Sequence, residues 1–254
     1  MAKTSDLRLG DGTRIPILYE DRAVLAIDKP PGWMLVPSTW NRTHWNLQLA
    51  LESCLRGGAF WAVQRHLKFI RYVHRLDADT SGVLLLAKSP GALRVLSELF
   101  ETRRMEKTYL AVVEGVPKAQ EWTCNLKIGL DPQQAGRMSV DGPEAKDAET
   151  VFQVQETAPG RALVLARPHT GRTHQIRVHL AAGGHPVVGD ALYGRRGSKP
   201  AASGLALRAV ALAYVDPVQK RPIFIDASRK EFLRKFGFGQ AKPPGKSPSG
   251  AKAV

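Results

Sequence analysis

Only two cysteines, Cys54 and Cys124, occur in 254 residues, far apart and outside any C-x-x-C pattern. That scarcity argues against a disulfide framework and a cysteine-built zinc site, and it suits a reducing compartment. Long apolar runs are also missing. None approaches the ~18 residues that a membrane span needs, and the N-terminus MAKTSDLR lacks the apolar core of a secretory signal. The expectation is a cytoplasmic protein without membrane association. Acidic residues are the third shortage, 23 Asp plus Glu against 37 Lys plus Arg, for a net charge of +14. An excess of that size favours a polyanionic partner, nucleic acid first, although solvated surface lysines alone also make chains basic.

What is present is a chain 43% hydrophobic and long enough to bury a substantial core. Residues 17–25 (ILYEDRAVL) run as a strand through AIDK into the turn signal Pro30-Pro31-Gly32. Residues 46–55 place Leu47, Leu51 and Leu55 at helical spacing, with Gly57-Gly58 as a stop. Residues 82–87 (GVLLLA) are too short for a typical helix and read as a strand covered on both faces. Ser89 and Pro90 then cap and start a helix with Leu93, Leu96, Leu99 and Phe100 on one face and Arg103-Arg104 near its end. Residues 108–113, 162–166, 205–215 and 222–225 add strands, and 230–236 a short helix. No regular βαβ rhythm and no repeat is present, so the pattern predicts an α+β fold with a mixed, mainly antiparallel sheet and flanking helices.

Residues 240–254 (QAKPPGKSPSGAKAV) contain no large apolar residue and no acid. They cannot offset the entropy of ordering and are expected to form a flexible basic tail, leaving residues 1–239 as one domain. Lys242, Lys246 and Lys252 contribute three charges there, and the body keeps +11. Gly245-Lys246-Ser247 within the tail has neither the upstream glycine spacing nor the strand and helix of a phosphate loop.

Three clusters mix charge with turn residues beside apolar elements: 74–82 (HRLDADTSG), 107–109 (KTY) and 170–180 (TGRTHQIRVHL). In the first, Asp77 stands at the entrance to a buried strand, which would hold a carboxylate rigidly at the rim of a cleft. In the third, Thr173 is the expected cap of a helix ending at Gly183-Gly184, with Arg177 one turn inside. An Asp and an Arg attract as a pair, since a guanidinium can hold a carboxylate bidentately and ionised. Most such pairs are structural, and the residues alone leave that reading open. His169, His174, His179 and His185 do not make a metal site. The five-residue step between the first three turns side chains about 140° apart on a helix and to opposite faces of a strand.

Residues 74–88 (HRLDADTSGVLLLAK) closely resemble the signature of the pseudouridine synthases of the ribosomal large-subunit type, the RluA family. The resemblance continues in order through 17–32 (ILYEDRAVLAIDKPPG), 107–115 (KTYLAVVEG) and 170–194 (TGRTHQIRVHLAAGGHPVVGDALYG). It implies the pseudouridine synthase fold with a central RNA-binding cleft, and isomerisation of chosen uridines in structured ribosomal or transfer RNA. By the same resemblance Asp77 is the catalytic aspartate, Tyr109 lies against the target uracil and Arg177 pairs with Asp77. Arg75 either enters the RNA stack where the base leaves it, or contacts phosphate, or braces its loop. His74, Arg172, His174, Gln175, Arg103 and Arg104 are the remaining expected RNA contacts.

The implied chemistry needs no cofactor, no metal and no obligatory protein partner. A non-catalytic RNA-binding module would explain the charge equally well but not Asp77, Tyr109 and Arg177 together. A base deaminase would need H-x-E and C-x-x-C motifs that are absent. Two departures stand out. Arg208 occupies the place where the family commonly has a histidine, and residues 1–16 leave no room for the small extra RNA-binding domain of many relatives.

Overall fold

The computed structural model describes residues 3–35, 45–195 and 203–239, so the expected tail at 240–254 lies outside the described residues. Thirteen strands are described: β1 (Asp6–Arg8), β2 (Arg14–Glu20), β3 (Val24–Lys29), β4 (Arg71–Tyr72), β5 (Ser81–Ala87), β6 (Glu106–Glu114), β7 (Glu121–Cys124), β8 (Ile128–Leu130), β9 (Met138–Val140), β10 (Thr150–Ala158), β11 (Arg161–Pro168), β12 (Leu207–Val215) and β13 (Pro222–Asp226). Five helices accompany them: α1 (Leu47–Arg56), α2 (Phe60–Val63), α3 (Pro90–Glu101), α4 (Gln175–Ala182) and α5 (Lys230–Phe236). One large sheet runs β1-β2-β3-β5-β12-β6-β11-β10-β7, with β4 added to β5 and β13 to β12, while β8 and β9 form a separate hairpin. Every pairing is antiparallel except β5 with β12. The expected α+β class with a mixed, mainly antiparallel sheet is the observed one.

The parallel pair is the hinge point of the architecture. It joins a half built from the first ninety residues to a half built from β6, β11 and β10, and it is short: only Arg208 with Ser81 and Ala209 with Gly82 are in register. Gly82 makes the approach feasible. Its φ is 112°, and a Cβ there would collide with the Ala209 backbone carbonyl.

Alternation along β5 explains its continuous apolar run. Leu84 and Leu86 face a core covered by α1 and α2 through Leu47, Leu51, Trp61 and Ala62, whereas Val83, Leu85 and Ala87 face a second core closed by Leu96 and Leu99 of α3. The helix signals hold locally. Asn46 accepts the Leu49 N–H at 3.0 Å, and Ser89 accepts that of Ala92 at 3.1 Å with Pro90 in the first turn. α3 ends earlier than the sequence implies: Thr102 is the C-cap, and Arg103 follows in a left-handed conformation (φ 58°). Arg104 then folds back onto Thr102 and Glu98.

α4 starts differently from expectation. Its N-cap position is His174, at φ 56° and without a side-chain cap, and not Thr173. Gln175 does the tying that a capping hydroxyl would do. Its amide oxygen accepts the Thr170 hydroxyl at 2.7 Å and the Arg172 N–H at 2.9 Å, and its nitrogen donates to Glu149 O and Thr150 Oγ1, both at 2.9 Å. Among the described residues no helix is long and apolar enough to cross a membrane.

Candidate active site

The loop before β5 carries Asp77, and a buried lysine holds it. Lys29 ends β3 with its side chain fully enclosed, and its three ammonium protons meet three carbonyl oxygens: Ala78 at 2.7 Å, Thr80 at 3.0 Å and Pro30 at 3.0 Å. Burial pulls this ammonium down to about 7, and the charges of Asp79 and Asp77 oppose the pull. The Gly32 N–H also donates to Ala78 O at 2.9 Å, so the Pro-Gly turn and the Asp77 loop are clamped together.

Asp77 meets Arg177 across the join of the two half-sheets, 100 positions apart in sequence. One guanidinium nitrogen, Nη1, reaches Asp77 Oδ2 at 3.1 Å, while Nε and Nη2 bind Asp190 Oδ2 at 2.7 Å and Oδ1 at 2.8 Å. Asp190 is therefore the bidentate partner and Asp77 the single one. Burial works against the Arg177 charge, yet Asp190 first and Asp77 second hold its pKa above the ordinary arginine value. Burial likewise tends to raise the Asp190 carboxyl, but Arg177 and the backbone N–H groups of Leu192 and Tyr193 hold it low. The Asp190 side chain is fully enclosed, whereas a quarter of the Asp77 side chain is exposed. Asp77 Oδ1 has no protein partner among the described residues. The result is a carboxylate braced on one oxygen and open on the other.

Tyr109 of β6 borders this carboxylate. It is 9% exposed, and burial followed by the Asp77 charge pushes its hydroxyl pKa well above the usual range, so it stays a neutral phenol. The structure thus brings Asp77, Tyr109 and Arg177 together. Arg75 and Arg103 are exposed, and Arg172, half-buried, donates from Nε to Asp147 O at 3.0 Å. His174 lies beside Arg177 with Nδ1 2.8 Å from the Tyr193 hydroxyl. Arg104 is occupied by Glu98 at 3.4 Å, an exposed contact that nucleic acid can displace.

Two expected RNA contacts belong to the scaffold. His74 Nε2 accepts the Leu85 N–H at 3.1 Å, and its ring stacks on Phe100 with centroids 4.7 Å apart. Burial, with Lys107 adding to it, pulls its pKa down to about 3, so a neutral imidazole braces the Asp77 loop against β5 and α3. Gln175 is buried and spends both ends of its amide on the turn before α4. Sequence patterns mark such polar residues as available because they do not show what packs over them.

Asp190, Tyr193 and Lys29 were not singled out from the sequence, and Lys107 entered only as a member of the 107–109 cluster, with no role assigned to it. Lys107 donates to Thr170 O at 2.7 Å, tying β6 to the turn before α4, and burial with Arg103 nearby draws it down to about 8. All four lie inside the blocks that carry the family resemblance, which is the one signal that pointed at them. Arg208, where the family commonly has histidine, bridges Asp28 at 2.6 Å, Ser81 at 3.3 Å and Ser228 O at 3.1 Å, directly under the start of β5. Among the described residues no group of three or more His, Cys, Asp or Glu is placed to hold a metal ion.

Residues 23–182 match the RNA pseudouridylate synthase family. Ribosomal large subunit pseudouridine synthase C of Escherichia coli is 36% identical over 232 residues, covering 86% of this chain and 68% of its own. An uncharacterised RNA pseudouridine synthase of Zymomonas mobilis is 37% identical over 224 residues, covering 87% and 97% respectively. Among solved structures, human RNA pseudouridylate synthase domain containing 1 superposes with a TM-score of 0.68 at 28% identity, over 84% of this chain and 83% of its own. The chain belongs to the RNA pseudouridine synthases of the RluA, or ribosomal large-subunit, type: isomerases that convert uridine in RNA to pseudouridine.

Proposed function

We propose that Asp77 is the essential carboxylate of this isomerisation, acting on a uridine flipped out of structured ribosomal or transfer RNA. The observation that carries the reading is the divided guanidinium of Arg177. Asp190 fixes its plane with two bonds, and the third nitrogen holds Asp77 by one oxygen and leaves the other free. Pseudouridylation breaks the N1–C1′ bond, turns the base and joins C5 to C1′. A stacked nucleotide cannot do this in place, so the target leaves the helix, and Tyr109 supplies an aromatic face for the detached base. Arg75, exposed two residues before Asp77, is suited to fill the vacated position in the stack, and Arg103, Arg104 and Arg172 suit phosphate contacts that position without reading sequence.

Asp77 serves either as a nucleophile or as a base that removes a sugar proton; both need an ionised carboxylate in a site from which water is excluded. The bond exchange is internal to one nucleotide and balances without a redox or metal cofactor. Several relatives are named for the ribosomal large subunit, which favours ribosomal RNA as the substrate, modified in the cytoplasm without an obligatory protein partner.

Asp77→Asn tests the reading. The variant should fold and bind RNA but release no tritium from C5-tritiated uridine, because C5 must lose its hydrogen on becoming the glycosidic carbon. Appreciable turnover, with deamidation excluded by mass spectrometry, would refute it. Pseudouridine mapping of total RNA from cells with and without the protein identifies the substrate.

A further inference from the structure

A second cluster lies against the Asp77–Arg177 pair and plays no part in the reading above. The Arg177 guanidinium carbon stands 5.1 Å from the centroid of the Tyr193 ring. The Tyr193 hydroxyl oxygen accepts the Met138 backbone N–H at 2.9 Å and lies 2.8 Å from His174 Nδ1. A phenol has one proton to give. Among the described residues no third group makes a hydrogen bond to this oxygen, so the one destination that satisfies the proton is His174 Nδ1. With Nδ1–H donating to the phenol, Tyr193, only 6% exposed, would be left with an unpaired O–H.

An imidazole that accepts at Nδ1 carries its own proton on Nε2. Nε2 has no protein partner among the described residues, and His174 is half-buried beside Asp77, Arg177 and Asp190. Its backbone is also held at φ 56°, a conformation that costs energy for a residue other than glycine and that clusters at functional sites.

We propose that His174 is a further catalytic residue: a neutral imidazole of fixed tautomer that presents its Nε2–H to a carbonyl oxygen of the departing uracil, with Tyr193 as the residue that positions it. This rests on Asp77 being the reaction centre. The N1–C1′ bond breaks with its electron pair left on the base, and the negative charge spreads over N1, O2 and O4. C5 then bonds to C1′ and gives up its proton to water, and N1 takes one from water. His174 keeps its own proton throughout; a pre-oriented donor stabilises charge as it develops on the oxygen.

The test uses C5-tritiated RNA isolated from cells that lack the protein. His174→Ala should slow single-turnover tritium release at saturating RNA about 10²-fold, with little change in RNA affinity. Tyr193→Phe should slow it by a smaller factor. His174→Asn tolerates the left-handed backbone and restores an N–H donor, so it should recover part of the rate. RNA containing 5-fluorouridine distinguishes the acceptor. Its base leaves as a more stable anion, so the defect of His174→Ala, followed as loss of intact 5-fluorouridine, should shrink. An equal defect on both RNAs would place the donor on ribose or phosphate and overturn the proposal.

Wild-type turnover in His174→Ala would also overturn it, as would lost affinity with an unchanged rate at saturation. Should His174→Ala fail to fold, His174→Asn and Tyr193→Phe carry the same comparison on the two RNAs. Long-range proton–nitrogen correlation on histidine-labelled protein should show His174 protonated at Nε2, and protonation at Nδ1 would refute the assignment. Asp77→Asn is run in parallel. Turnover there removes the reaction centre itself, whereas an inactive Asp77→Asn beside fully active His174 variants removes only this inference.

Discussion

A guanidinium shared between two carboxylates behaves differently from a simple ion pair. Asp190 takes two of the Arg177 nitrogens inside the protein, and Asp77 receives one at the rim. Arg177→Lys keeps a charge but cannot serve both acids at fixed angles, so turnover should fall about 10²-fold or more while RNA affinity holds. Wild-type turnover in that variant would separate Arg177 from the reaction. Asp190→Asn leaves a buried arginine short of one charge and should cost about 3 kcal/mol in denaturant unfolding as well as activity.

His74 gives a prediction in pH. It is held at about 3 in the folded protein against an ordinary 6.5, so between these values the unfolded chain binds a proton that the folded chain refuses. Stability therefore falls as pH drops through that window, by up to about 1.4 kcal/mol per pH unit for the one group. His74→Gln can still accept the Leu85 N–H but cannot titrate, and its stability should fall less steeply between pH 6.5 and 4. Parallel curves for the two proteins would show that His74 is not the group responsible.

At the scale of elements, the short parallel contact of β5 with β12 sets where the Asp77 loop begins. Gly82 has positive φ and no room for a Cβ against Ala209. Gly82→Ala should destabilise the protein by about 3 kcal/mol or more, read by thermal or denaturant unfolding, and should disturb turnover because Asp77 is five residues upstream. An unperturbed melting temperature would mean that the two strands can part without loss. The helix start at Ser89 and the stop of α1 at Gly57, both governed by neighbours in sequence, were legible from the residues themselves. The start of α4 was not, because four bonds from Gln175 to a turn and to β10 decide it in place of the Thr173 hydroxyl.

Across the whole molecule the charge of +14 suits a polyanionic RNA substrate. Binding should weaken steeply with salt, by roughly a decade or more between low and physiological ionic strength, since each phosphate contact releases counterions. A fluorescence-anisotropy titration checks this, and a flat response would show that phosphate contacts do not carry the affinity.

The order of apolar and turn residues was sufficient by itself to predict the α+β class, the doubly covered β5, the stop of α1 and the cap of α3, because those depend on residues a few positions apart. The resemblance in residues 74–88, 107–115 and 170–194 led to Asp77, Tyr109 and Arg177 for the same reason: a motif is local. Only the tertiary structure decided how Arg177 divides its bonds, that Lys29 holds the Asp77 loop through three carbonyls, and that His74 and Gln175 support the scaffold. These depend on chain segments brought together from up to 100 positions apart, and on which polar atoms the packing leaves without water. Neither is written in the spacing of residues along the chain.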